Sequence, residues 1–104
     1  MSVHGIWQAA TIDNGDTSSD EVDLGRDYDF LEVIIPTLTS CTIKIQTAEE
    51  SGDTPLDLGD GITTATGTHN YHDVFKLGGW RYIKVVASAA QSGNKLIRVR
   101  GMRY

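Results

Sequence analysis

The sequence predicts an all-β chain folded as an antiparallel sandwich of two sheets, jelly-roll-like, with about eight strands. Three observations lead to this class. No window of eleven or more residues keeps a helical period, the apolar stretches are short and alternate with polar residues, and turn signals separate them at regular intervals. A small closed barrel is the second choice.

Four strands are predicted in the amino-terminal half, each followed by turn-forming residues or a loop. They span 4–12, 21–24, 28–35 and 41–47. In segment 28–35, Leu31, Val33 and Ile35 share one face and Tyr28 lies on the other, so both faces should be largely covered. Segment 41–47 alternates cleanly, which is typical of a strand with one face in the core and one in water.

The carboxy-terminal half contains the remaining predicted strands. They span 56–58, 62–66, 71–77, 80–87 and 95–103. Gly78-Gly79 predicts a turn between two of these segments. In the last strand Ile97 and Val99 oppose Arg98 and Arg100, so one face is apolar and the arginines should point outward.

The length of 104 residues predicts one domain that spans residues 1–104. A hydrophobic content of 39% suits a soluble protein with its own core. The amino terminus has no basic or apolar stretch typical of a signal peptide, so we expect folding in a cytoplasm. Cys41 is the only cysteine, and its place in an apolar strand predicts a buried, reduced thiol.

Charge is divided unevenly between the two halves. Residues 1–60 carry thirteen acids and two bases, a balance of −11, whereas residues 61–104 carry one acid and seven bases, a balance of +6. Either strands from the two halves neutralise each other across the sheet, or the protein has an acidic face and a basic face that suit docking on a charged assembly. Nucleic acid is disfavoured, because no aromatic residues are interleaved among the carboxy-terminal arginines.

No pattern in the sequence predicts catalysis, a cofactor or a metal site. The serines lie in polar loops without a Gly-x-Ser-x-Gly elbow, so we expect no enzyme. His69 and His72 supply at most two ligands, whereas a structural zinc site needs four. The loop aspartates could offer oxygens to calcium, but they match no EF-hand spacing and are more ordinary as turn formers. These aspartates are Asp13, Asp16, Asp20, Asp23, Asp53, Asp57 and Asp60.

Two tryptophans could act as ligand platforms. Trp7 and Trp80 lie near strand termini, where packing under a loop is the commoner role of this side chain. Stacking against a sugar would require an exposed tryptophan or tyrosine beside loop acids. A carbohydrate-binding module is therefore the alternative function that the residues leave open.

Two stretches resemble small jelly-roll structural proteins of tailed bacteriophages. The first is Leu24-Gly25-Arg26-Asp27-Tyr28-Asp29-Phe30-Leu31-Glu32-Val33-Ile34-Ile35-Pro36-Thr37-Leu38. The second is Leu77-Gly78-Gly79-Trp80-Arg81-Tyr82-Ile83-Lys84-Val85-Val86, followed by segments 88–94 and 97–101. The resemblance covers about half of the chain and implies a virion component made in the cytoplasm of an infected bacterium. It implies above all a capsid decoration (head auxiliary) protein, with a tail or fibre module as the alternative.

The resemblance implies partners but transfers no functional residue. They would be the major capsid protein or other virion proteins, with no nucleic acid and no membrane. The row Arg98, Arg100 and Arg103 could contact such a partner, or it could simply be solvated. A head-to-tail contact between an acidic and a basic face is heterologous, so closure would give a homo-oligomeric ring such as a trimer.

Overall fold

The computed structural model describes residues 3–36, 41–65 and 71–103, and these residues form seven strands and no helix. The strands are β1 (Val3–His4), β2 (Gln8–Ile12), β3 (Val22–Ile35), β4 (Cys41–Ala48), β5 (Leu56–Ala65), β6 (Tyr71–Ala87) and β7 (Lys95–Arg103). Every strand pair is antiparallel. The all-β antiparallel class predicted from the sequence is confirmed.

The strands follow the order β1-β7-β3-β6-β4-β5, and β2 also pairs with β7. Residues 30–34 of β3 pair with both β7 and β6, whereas residues 82–87 of β6 pair with β4. The two longest strands, β3 and β6, thus take part in both sheets of the sandwich. Register shifts interrupt the pairing of β3 where it passes from one sheet to the other. Strands that pass between sheets at bulges and bends form the corners of a sandwich, so the architecture is the predicted jelly-roll-like one.

The number of strands differs from prediction because β3, β5 and β6 each join two predicted segments, while predicted segment 4–12 divides into β1 and β2. The predicted turn at Gly78-Gly79 is wrong. Both glycines lie inside β6 with positive φ values of 75° and 96°, a conformation that side chains disfavour. Across them the partner of Tyr28 is Trp80 and the partner of Phe30 is Lys76, so β6 carries extra residues at a bulge that bends it.

A cluster of buried apolar side chains fills the interior. Leu31, Val33 and Ile35 of β3 are at most 1% exposed, which confirms the face predicted for them. The alternation of β4 and β7 is also confirmed, because Ile45 and Ile97 are fully buried. Each such side chain stabilises the fold by about 1.5–3 kcal/mol.

Tyr28 occupies the core, although simple alternation places it on the other face of β3. The register shift between Tyr28 and Phe30 breaks the alternation and turns the ring inward, where it lies against β7. A Cβ atom at Gly101 would lie 2.0 Å from Cδ2 of Tyr28, and one at Gly5 would lie 2.7 Å from its hydroxyl oxygen. Two glycines therefore make room for this one ring.

Cys41 is only partly buried, in contrast to the predicted buried thiol, because it is the first residue of β4 at the edge of the core. The Gln91 amide donates a hydrogen bond to its Sγ over 3.6 Å. Burial raises the pKa of the Cys41 thiol, so the sulfur is protonated near neutral pH. A protonated thiol is a poor nucleophile.

Ser19 is buried, although it lies in a segment predicted as a polar loop. Its N–H donates a 2.9 Å hydrogen bond to the carbonyl of Val85, and its hydroxyl accepts a 3.0 Å bond from the Val85 N–H and donates to the carbonyl of Asp20. Ser18 forms an isolated bridge with Val86. The segment therefore pairs with β6. Alternation of apolar residues could not reveal this pairing, because the segment is polar.

An ion pair crosses from β3 to β6 near the bend. Nε of Arg81 lies 2.7 Å from Oδ1 of Asp23, and the N–H of Gly25 donates to the same oxygen. The Arg81 and Gly25 hydrogen bonds lower the pKa of Asp23. The carboxylate thus stabilises the folded chain above its ordinary pKa of 3.8, and this contribution is lost as the pH falls below that value.

We expect Gly101→Ala to destabilise the fold by about 1–3 kcal/mol, because its methyl group would collide with Tyr28. Tyr28→Ala alone should also destabilise, since it leaves a cavity. In the double variant the methyl group has room, so its loss should be smaller than the sum of the two single losses. Urea unfolding measures all three, with Thr42→Ala, exposed on β4, as control. Additive losses would contradict the contact.

Removal of the ion pair should change the acid side of the stability profile. Arg81→Met should lower the free energy of unfolding at pH 7 only slightly, since both side chains are partly exposed. At pH 3 the two proteins should differ less, because the contribution of the ion pair declines as the pH falls below 3.8, the ordinary pKa of Asp23. Lys76→Met, exposed on β6, is the matched control. A difference that is equal at the two pH values would show that Asp23 is not the group involved.

Candidate functional site

The arginines of β7 do not form a single row. Arg98 and Arg100 lie on its outer face, where Arg98 pairs with Ile34 and Arg100 with Glu32 of β3. Arg103 is an odd number of residues away from Arg98 and Arg100, so it does not continue their row. It is exposed at the end of the strand, where it pairs with Val3. The structure therefore brings together two of the three predicted arginines.

Trp7 lies beneath these two arginines. The guanidinium carbon of Arg100 is 4.5 Å from the centroid of the Trp7 ring, and that of Arg98 is 5.7 Å away. Stacking of this kind contributes about 0.5–2 kcal/mol and fixes long, flexible side chains. Trp7 is thus half-buried as a support for the arginines, and its packed ring is a poor platform for a sugar.

Arg100 is also held by Glu32. Its Nη2 lies 3.0 Å from Oε2 and 3.3 Å from Oε1 of this carboxylate, and both side chains are about one-quarter exposed, at 27% and 23%. Its Nε is buried and makes no hydrogen bond in the described part of the chain. Arg100 is therefore neutralised and fixed, whereas the exposed Arg98 can reach a partner.

Exposed apolar side chains flank these arginines. Val74 is 52% exposed and pairs with Glu32, and Leu96 is 53% exposed and pairs with Thr11. Part of this surface forms a shallow cavity of about 430 Å³, whose lining includes Trp7, Val74 and Arg100. We call this surface the arginine face. Its members are Trp7, Ile34, Val74, Leu96, Arg98 and Arg100.

Trp80 lies at a different cavity, of about 370 Å³, where β4, β5 and the bend of β6 meet. Its side chain is 39% exposed, so it does not pack under a loop as the commoner role of tryptophan predicts. Leu56 beside it is 71% exposed. We call this the Trp80 cavity, and its lining is Thr47, Ala48, Glu49, Asp53, Thr54, Leu56, Asp57, Leu58 and Trp80.

Hydrogen bonds fix the acidic rim of the Trp80 cavity. Lys44 and Gln46 donate to the two oxygens of Asp57 over 3.2 and 3.0 Å, and both bonds lower the pKa of Asp57. On the other side, the Ser51 hydroxyl and the Gly52 N–H donate to Glu21, which lowers the pKa of that carboxyl. Glu21 thereby holds the loop between β4 and β5.

The charge imbalance of the sequence is partly neutralised in the fold. Of the three ion pairs in the described residues, Asp23–Arg81 and Glu32–Arg100 join the two halves of the chain, and Lys44–Asp57 lies within the first. Exposed acids nevertheless remain in the turn at 13–16, next to the start of β7, and in the loop at 49–53. Neutralisation between the two halves, the first of the two effects considered from the sequence, is therefore present.

The loop aspartates and histidines form no metal centre in the described residues, where no three His, Cys, Asp or Glu side chains come together in a suitable group. His69 lies outside those residues, as does the side chain of Asp60. His72 is exposed on β6. No helix able to span a membrane occurs in the described residues.

Comparison with known proteins gives similarity of fold but not of sequence. No protein-family model matches this chain, and no curated protein matches it in sequence. The SPBc2 prophage-derived protein YomS has a similar structure, with a TM-score of 0.60 and 18% identity over 98% of this chain and 96% of that one. The match therefore extends over nearly the whole of both chains.

A virus coat protein is also similar. The Tobacco streak virus coat protein has a TM-score of 0.53 and 12% identity over 99% of this chain and 86% of that one. CsCBM6-3 from Clostridium stercorarium, solved in complex with cellobiose, scores 0.41, too low for a functional comparison. The chain therefore shares its jelly-roll-like fold with a prophage-derived protein and a viral coat protein, in agreement with the resemblance found in the sequence.

Proposed function

We propose that this chain is a non-enzymatic structural protein of a phage virion, a capsid decoration protein that docks on the shell through the arginine face. The fold it shares with a prophage-derived protein and a coat protein supports the class of function. The single observation that carries the docking is the arginine face itself, where exposed apolar side chains surround a prearranged Arg–Trp stack.

The composition of the arginine face is that of a protein interface. Arginine and tryptophan are enriched at the centres of interfaces, and exposed apolar groups gain most when a partner covers them. The stack of Arg100 on Trp7 is formed before binding, so less side-chain entropy is lost on docking. Leu96 and Val74 add apolar area on the same side of the sheet.

The partner should present carboxylates together with an apolar surface. Arg98 is exposed and can form ion pairs with such a partner, which would set the register of docking. The molecule measures 37 × 28 × 23 Å, so its broad side can supply the roughly 800 Å² per partner that a stable interface needs. The major capsid protein or another virion protein made in the same bacterial cytoplasm would be this partner.

Neighbouring copies could also contact one another on the shell. Exposed acids lie in the 13–16 and 49–53 loops, and the exposed Arg103 lies at the end of β7. A contact between an acidic and a basic patch is heterologous, and its closure would give a ring such as a trimer.

Charge reversal at Arg98 should weaken docking. Arg98→Glu should lower the occupancy of purified capsids of the virus that encodes the chain by about tenfold, because a like charge would then face the acidic partner. Leu96→Asp should act similarly through lost apolar contact. Co-sedimentation at 0.1 and 0.5 M salt measures both, and binding of the unaltered protein should weaken at the higher salt.

Arg26→Glu, at an exposed arginine near the bend of β3, makes the same charge change and is the matched control. Arg100 is left intact because its reversal would place two carboxylates together at Glu32 and disturb the fold. Equal loss for Arg26→Glu and Arg98→Glu would contradict docking through the arginine face. Immunogold labelling of virions then locates the protein: label on the tail would favour a tail or fibre module, and unlabelled particles would overturn a virion role.

A further inference from the structure

We propose that the Trp80 cavity is a saccharide-binding site that takes a neutral sugar ring. This inference goes beyond the proposed docking function and does not depend on it. It rests on the juxtaposition of an exposed aromatic ring with a hydroxyl and with carboxylates, one of which, Asp57, is fixed by two other side chains. This is the feature that a sugar platform requires, and the structure provides it at Trp80 and not at Trp7.

The base of the cavity is apolar and accessible. Trp80 and Leu56 are two of the five large apolar side chains that are markedly exposed in the described residues, and both line the same cavity. The C–H face of a pyranose ring packs against a flat indole, which removes apolar surface of both from water. The volume of about 370 Å³ lies within the roughly 300–1,000 Å³ typical of small-molecule sites.

The rim offers both hydrogen-bond acceptors and a group that can donate. Asp53 and Asp57 supply carboxylate oxygens, and the exposed Thr54 carries a hydroxyl that can donate and accept. Each sugar hydroxyl also donates and accepts, so this combination suits a polyol. Glu49 adds a third carboxylate to the lining.

The rim is held in place before any ligand arrives. Asp57 receives hydrogen bonds from Lys44 and Gln46, and Glu21 fixes the loop that carries Asp53 through bonds from Ser51 and Gly52. Sites arranged in advance lose less entropy on binding than mobile loops do. Glu21 acts here as a positioning residue, because it does not line the cavity itself.

The charge of the rim selects among ligands. Three carboxylates repel acidic polysaccharides, so the sugar should be neutral. A small cation would also be attracted by these carboxylates, but Lys44 already neutralises Asp57, and the apolar Trp80 and Leu56 offer a cation no oxygen ligand. A neutral oligosaccharide therefore fits more of the lining than a cation does.

The cavity and the arginine face lie at different ends of the strand order. The cavity is formed by β4, β5 and the bend of β6, whereas the arginine face centres on β7, with further members on β3 and at Val74, near the start of β6. The two surfaces share no lining residue. A sugar could therefore bind while the arginine face is covered.

Tryptophan fluorescence tests the site directly. The chain has two tryptophans, so Trp7→Phe leaves Trp80 as the only indole. We would titrate this variant with hexasaccharides of β-1,4-glucose, β-1,4-N-acetylglucosamine, α-1,4-glucose and α-1,6-mannose. Saturable change of the emission by at least one of them, unaffected by 0.5 M salt, is the expected result.

Variants of the rim then locate the binding. In the Trp7→Phe background, Asp53→Asn and Glu21→Gln should each weaken the affinity by about tenfold, by loss of an acceptor and of loop order. Asp16→Asn, in the distant 13–16 turn, is the matched control and should bind like its parent. By calorimetry, Trp80→Ala in the natural background should abolish the heat of binding. Circular dichroism checks that each variant is folded.

Three results would overturn the proposal: no response to any neutral sugar, a response that Asp16→Asn reduces as much as Asp53→Asn does, or a salt-sensitive response to tetramethylammonium alone, which would identify a cation site. Capsid co-sedimentation of Trp80→Ala separates the two proposals. The capsid occupancy of Trp80→Ala should equal that of the unaltered protein. A failure of sugar binding would therefore not count against docking through the arginine face.

Discussion

The structure depends on the bend of the two longest strands, β3 and β6, which must belong to both layers of the sandwich. At the bend Tyr28 pairs with Trp80, and the ring of Tyr28 fills the space that Gly101 and Gly5 leave open. Gly78 and Gly79 allow β6 to bend because they adopt positive φ without steric cost. This packing therefore holds both strands at the position where their register shifts.

The same bend positions the surfaces of both proposed sites. Trp80 follows the two glycines directly, so the bulge that turns β6 also presents this indole at the cavity beside β5. On the other side, the straight part of β3 lies between β6 and β7 and aligns Glu32 with Arg100. The proposed docking and sugar sites are thus consequences of how one pair of strands crosses between layers.

The two tryptophans differ because of their neighbours rather than their exposure alone. Trp7 is covered by two guanidinium groups, one of which is neutralised by Glu32. Its ring therefore supports these arginines and is not open to a flat ligand. Trp80 has carboxylates around it and its exposed ring can accept a flat ligand. Identical side chains on one small sandwich are thereby suited to a protein partner and to a small polar ligand.

The sequence by itself determined the all-β class, the inward faces of β4 and β7 and the outward direction of Arg98 and Arg100, because alternation with period two is a local property of a strand. Only the tertiary structure decided that Gly78-Gly79 bends a strand, that Tyr28 turns inward and that Ser19 pairs with β6. These outcomes depend on bulges and on partners distant in the chain, such as Gly101 and Val85, which periodicity does not contain. The pairing of Trp7 with arginines and of Trp80 with acids was decided in the same way, by strand order.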